Sequence, residues 1–100
     1  MSQRGEDGRE KALMLRLSVP AQGGLRSVAA EFATRVAAYL GSDGPHAASA
    51  GAALEGLAAR VAPDGADGDI TFEFTSERGE LLIRARCNGR ASEARSPLPA

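Results

Sequence analysis

The sequence predicts an α+β fold of order β-α-α-β-β, a three-stranded, mostly antiparallel sheet with two helices packed on one face. Three observations predict it. Residues 12–19, 69–75 and 80–87 alternate apolar and polar side chains with the period of a strand, while residues 24–40 and 45–62 repeat apolar residues every three or four positions, the period of a helix. The last two strands are joined by Ser76-Glu77-Arg78-Gly79, short enough for a hairpin. Every strand has one apolar and one polar face, which is solved by burying one face under both helices and leaving the other in water.

The elements follow in order. In the first strand Leu13, Leu15, Leu17 and Val19 share a face, Met14, Arg16 and Ser18 take the other, and Pro20 ends the run because it cannot donate to a ladder. The first helix places Leu25, Val28, Ala29, Phe32, Val36, Tyr39 and Leu40 on its apolar stripe, and Gly41 stops it. The second has Pro45 in its first turn, Ser42-Asp43 as its cap, and Ala47, Ala50, Leu54, Leu57, Ala58 and Val61 as its stripe. Its internal glycines, Gly51 and Gly56, each cost about 1 kcal/mol against alanine. Residues 63–68 are a loop by composition. Ile70, Phe72 and Phe74 then face inward, as do Leu81, Ile83, Ala85 and Cys87, with Glu73 opposite Arg84 or Arg86 as a cross-strand pair on the outer face. The charged, aperiodic ends, residues 1–10 and 90–100, read as mobile tails around one ordered domain at 11–89.

The bulk numbers narrow the function. Twelve basic against thirteen acidic residues leave a net charge of −1, without the basic patch that nucleic acid requires or a polybasic run for anionic lipid. No apolar stretch approaches the roughly 18 residues of a membrane span, and Met1–Glu10 lacks the apolar region of a secretory signal, so the expected compartment is the cytoplasm. Cys87 is the only cysteine and His46 the only histidine, which leaves no internal disulfide and no metal-ligand cluster. Asp64, Asp67 and Asp69 lack the length and terminal Glu of a calcium loop and read as a turn. The expected cofactor is none. With no Trp, one Tyr and three Phe in an alanine-rich chain, the core is thin, and a partner or a second copy would help to cover it.

Leu15-Arg16-Leu17-Ser18-Val19-Pro20-Ala21, a helix ending in Leu40-Gly41, and the stretch Leu82–Arg90 come in an order that resembles the histidine-kinase-like (GHKL, or Bergerat) ATPases, and among them the bacterial anti-sigma-factor serine kinases. The resemblance covers about residues 13–90 and rests on element order, loop spacing and local matches. It implies a second helix carrying a catalytic Glu, a magnesium-binding Asn and a His, followed by a hairpin ending in an Asp-x-Gly motif for adenine. This chain departs at those positions. Ala52 stands for the Glu, Gly56 for the Asn, Arg60 for the His and Cys87 for the Asp, while Asn88 and Gly89 keep the rest of the last motif. Alanine cannot take a proton, glycine cannot ligate a metal, and a thiol is a weak acceptor. The second glycine motif, ATP lid and last strands of that family are also missing before Ala100.

The resemblance therefore implies a degenerate member: a bacterial, cytoplasmic pseudoenzyme with no catalytic or metal-binding residues, acting as a regulatory protein-interaction module. Its expected partner is itself, as a homodimer, or another signalling protein in a heteromer, with no nucleic acid and no membrane involved. Arg16, Glu73, Arg84 and Arg86 on the outer sheet face are the candidate interaction surface. The alternative is a residual ATP-binding serine-kinase-like regulator that uses Asn88, Gly89 and Glu55, although Glu55 lies about 100° around the helix from Gly56.

Overall fold

Two antiparallel helices lie across one face of a four-stranded antiparallel meander. The computed structural model describes residues 14–63 and 65–98. Its elements are β1 (Met14–Pro20), α1 (Leu25–Tyr39), α2 (Gly44–Val61), β2 (Asp69–Glu77), β3 (Glu80–Cys87) and β4 (Arg90–Pro97), and the strands lie side by side in the order β1-β2-β3-β4. The α+β class, both helices and the first three strands are as expected. The expected strand count is corrected from three to four, because residues 90–97 form β4 instead of belonging to a tail. The expected tail at 1–10, together with Ala12, Leu13, Asp64, Pro99 and Ala100, lies outside the described residues.

The reason β4 forms is the turn before it. Asn88 (φ 49°) and Gly89 (φ 84°) both occupy the left-handed region, which a two-residue type I′ hairpin turn requires and which Asn-Gly accepts at little cost. β3 and β4 then pair from Cys87↔Arg90 to Glu80↔Pro97. β4 carries almost no apolar signal. Ser92, Ala94 and Ser96 occupy its half-buried positions, and Ala94 and Leu98 reach the core. The turn between β2 and β3 has the same form, with Arg78 (φ 52°) and Gly79 (φ 76°) at its centre.

The core lies between sheet and helices. From the sheet it takes Ile70, Phe72, Phe74, Leu81, Ile83 and Ala85, and from α2 Leu54, Leu57, Ala58 and Val61. The contribution of α1 is mostly alanine: Ala29, Ala33 and Ala37, with Val36. α1 lies over β1 and α2 over β3 and β4, and Phe32 of α1 meets Phe74 of β2 edge to face, with ring centroids 5.4 Å apart. The two helices approach closely because α2 has no side chain at Gly51. A Cβ there would lie 2.5 Å from Thr34 Oγ1 and 2.9 Å from the Ala30 carbonyl oxygen. The glycine that weakens the helix in isolation is the one that lets it pack.

Polar clips hold the ends. Arg26 donates from Nε to the Ala21 carbonyl (3.1 Å) and from its terminal nitrogen to the Ala62 carbonyl (2.6 Å), tying the start of α1 to the end of α2 and satisfying a carbonyl there. Asp43 caps α2, as expected: its carboxylate accepts from the His46 backbone N–H (3.1 Å) and meets His46 Nδ1 at 2.7 Å. The backbone hydrogen bond first, then the His46 ring, holds the Asp43 carboxyl below its usual 3.8. A depressed folded-state value means that the cap contributes fully above about pH 4 and is lost as pH falls through the lowered value. Thermal melts between pH 2 and 5 are therefore expected to fall more steeply for the wild type than for Asp43→Asn, the two curves converging at the acid end. Parallel curves across that range would show that Asp43 adds nothing to stability.

Candidate interaction surface

The outer sheet face assembles the four residues singled out in the sequence. Arg16, Glu73, Arg84 and Arg86 all project into water on one side of the sheet, and the structure places them in ion pairs. Arg16 meets Glu73 at 2.9 Å across β1 and β2, and Arg86 reaches the same carboxylate at 3.5 Å. Arg84 is directly opposite Glu73 in the register, yet it pairs with Glu93 of β4 at 3.4 Å. Arg95–Glu80 at 3.2 Å continues the pattern. The expected cross-strand pair of Glu73 is therefore made by Arg86, while β4 supplies the partners of Arg84 and Glu80. Exposed pairs of this kind are worth about 0–1 kcal/mol each. Four guanidinium groups share three carboxylates across this face, Glu73 serving both Arg16 and Arg86.

The positions compared with an ATPase site do not converge. Ala52 and Gly56 are exposed on the side of α2 turned away from the sheet, and Ala52 borders a shallow groove between the helices together with Thr34, Gly51 and Glu55. Cys87 is buried on the inner face of β3, its thiol directed at the Asp67 carbonyl (3.8 Å). It borders a different hollow, at the end of the sheet, with Thr71, Arg86 and Arg90. Asn88 and Gly89 form the β3–β4 turn, and the Asn88 amide nitrogen donates to the Asp67 carbonyl (2.8 Å). Gln22 reaches the same loop, donating to Ala66 O and Asp67 Oδ1, each at 3.2 Å. These polar groups stitch three loops together. Among the described residues, no group of three or more His, Cys, Asp and Glu side chains is placed to hold a metal ion, and no helix is long and apolar enough to cross a membrane.

One surface stands out. Leu25, Val28 and Tyr39 belong to the apolar stripe of α1, but the structure leaves them 44%, 54% and 83% exposed. The cause is position: α1 sits at the margin of the sheet, above an edge strand, so the flank turned away from α2 overhangs nothing. Beneath it Leu15 and Leu17 of β1 are only half-buried, although they are on the helix-facing side, and Phe32 is half-buried between. Met14, at the start of the same edge, is 74% exposed. Leu15, Leu17, Leu25, Val28, Phe32 and Tyr39 form an apolar strip along β1 and α1, while Met14 projects on the opposite face of the sheet with Arg16 and Ser18. Large exposed side chains in one continuous patch mark an interaction site, whereas scattered ones do not.

Among the described residues β1 has only β2 as a strand neighbour. The Ala21 N–H donates to the Gly68 carbonyl (2.8 Å), and the register runs from there through Pro20↔Asp69 to Met14↔Thr75. Antiparallel pairs alternate, so the N–H groups of Leu15, Leu17 and Val19 point to β2 and those of Arg16 and Ser18 point outward. Pro20 falls on the outward side, where its missing N–H costs nothing. The opposite edge, β4, Arg90-Ala91-Ser92-Glu93-Ala94-Arg95-Ser96-Pro97, also ends in a proline but carries three charged residues to one in β1 and no large apolar side chain, which blunts it further. Compared with known proteins, the chain matches no family model, no curated protein and no solved structure.

Proposed function

We propose that this chain is a non-catalytic protein-interaction module, and that it docks its partner on the β1 edge and the outer flank of α1. One observation carries the reading: among the described residues the outer edge of β1 has no strand partner, and the exposed apolar side chains of α1 lie beside it. A strand added there would gain main-chain hydrogen bonds from Arg16 and Ser18 and bury Leu15, Leu17, Val28 and Phe32 at the same time. The ATPase resemblance adds that the module descends from a nucleotide-binding fold and has lost that chemistry at Ala52, Gly56 and Cys87.

Nucleotide binding tests the non-catalytic half. A ligand at one hundred times its Kd stabilises the folded state by about 2.7 kcal/mol. In a domain of this size that raises Tm by about 10 °C or more. Thermal melts with millimolar ATP or ADP and magnesium are expected to show no shift. A shift of that size, or a micromolar affinity by calorimetry, would overturn the proposal in favour of a nucleotide-dependent regulator.

A further inference from the structure

We infer that the occupant of the β1 edge is a second copy of this chain, related by a two-fold axis through Leu17, so that two four-stranded sheets join into one of eight. The inference rests on the reading of the strip as a docking surface and adds its partner and its register.

The edge is self-complementary in a register centred on Leu17. A two-fold axis there overlaps the described residues of the two strands, Met14–Pro20, end to end. Arg16 then lies opposite Ser18 of the second copy and Met14 opposite Pro20, and every N–H that β1 directs outward meets a carbonyl. The only outward position without an N–H, Pro20, falls at the end of the ladder. On the helix side Leu17 meets its own copy and Leu15 meets Val19, which continues the apolar face. A register centred on Arg16 would set two guanidinium groups directly opposite one another, a destabilising arrangement.

The helices agree with that register. α1 sits over β1 and contacts β2 through Phe32. Strands are about 4.8 Å apart, so two helices each placed over its own β1–β2 pair stand about 10 Å apart. That is the 8–10 Å at which helices pack, and it brings Leu25, Val28, Phe32 and Tyr39 of both copies into one seam.

Charge does not oppose the pairing. The chain has a net charge of −1, Arg16 is neutralised by Glu73 of its own copy, and Arg35 on α1 pairs with Glu31 at 3.3 Å. Low net charge favours self-association.

Sedimentation equilibrium and cysteine trapping test the inference on the full chain. The wild type is expected to sediment at tens of micromolar as twice its 10.3 kDa mass, and Val28→Glu, at an exposed site, as a single copy with an unchanged circular dichroism spectrum. In a Cys87→Ser background, Leu17→Cys is expected to form an intermolecular disulfide on mild oxidation, since opposed non-hydrogen-bonded residues stand about 4.5 Å apart at Cα, within disulfide range. Arg16→Cys, opposite Ser18, is expected not to. A wild type that remains a single copy at hundreds of micromolar overturns the inference, as does a dimer that survives Val28→Glu with its fold intact or that traps through Arg16→Cys and not Leu17→Cys. The monomer result removes the second copy alone, whereas nucleotide binding removes the functional reading whatever the oligomeric state.

Discussion

Phe74→Ala is expected to destabilise the domain by about 3–5 kcal/mol, the usual cost of emptying a buried phenylalanine site. Phe74 is fully buried at the centre of β2, with β1 on one side and β3 on the other, and its ring meets that of Phe32 in an edge-to-face contact. The site cannot collapse easily. Sheet hydrogen bonds fix the backbone beneath it, and α1, which would have to move inward, offers mainly alanine to fill the gap. Small domains have about 5–15 kcal/mol in total, so the loss is a large share of the whole. Urea unfolding followed by far-ultraviolet circular dichroism is the measurement. A double-mutant cycle with Phe32→Leu should give a coupling of about 0.5–1.5 kcal/mol for the ring pair. A cost below 1 kcal/mol for Phe74→Ala would mean that the helix layer does not press on the sheet as described.

Gly51→Ala is expected to cost about 1–3 kcal/mol, against the ordinary ranking in which alanine improves a helix. The new methyl group would meet Thr34 Oγ1 at 2.5 Å and the Ala30 carbonyl oxygen at 2.9 Å. The threonine can turn away, but the carbonyl belongs to the backbone of α1, so the helix itself must shift and open its contact with α2. Thr34→Ala in the Gly51→Ala background should restore part of the stability by removing the nearer obstacle. The contrast lies five residues along the same helix: Gly56 is exposed with nothing within 4 Å of a Cβ, and alanine there should gain about 0.5–1 kcal/mol. Chemical denaturation of both variants checks the prediction through its sign.

The two glycines show how far the sequence could be read. Periodicity places the helices and three strands because their buried faces are apolar, and Asp43 announces its helix because a cap is a local interaction. Gly51 and Gly56 look alike in a sequence, since what separates them is a neighbour on another helix. β4 escaped for a related reason: its inward residues are Ser92, Ala94 and Ser96, which carry no hydrophobic period. The signal that could have found it was Asn88-Gly89, a strong hairpin dipeptide, which the ATPase resemblance had claimed for another purpose. The candidate site was legible as residue types and not as placement. Leu25, Val28 and Tyr39 follow the helical period faithfully, but only the strand order reveals that β1 is an edge and that this part of the stripe has nothing beneath it.

Tyr39 has a practical consequence. It is the only tyrosine in a chain without tryptophan, and it is 83% exposed. Ultraviolet emission from this protein therefore comes from one ring on the surface of α1, wet in a single folded copy. Unfolding of a single copy should change that emission little, whereas a second copy seated against α1 should shield the ring from a soluble quencher. The molecule carries its own optical probe for occupancy of that flank, one that is nearly silent on whether the rest of the domain is folded.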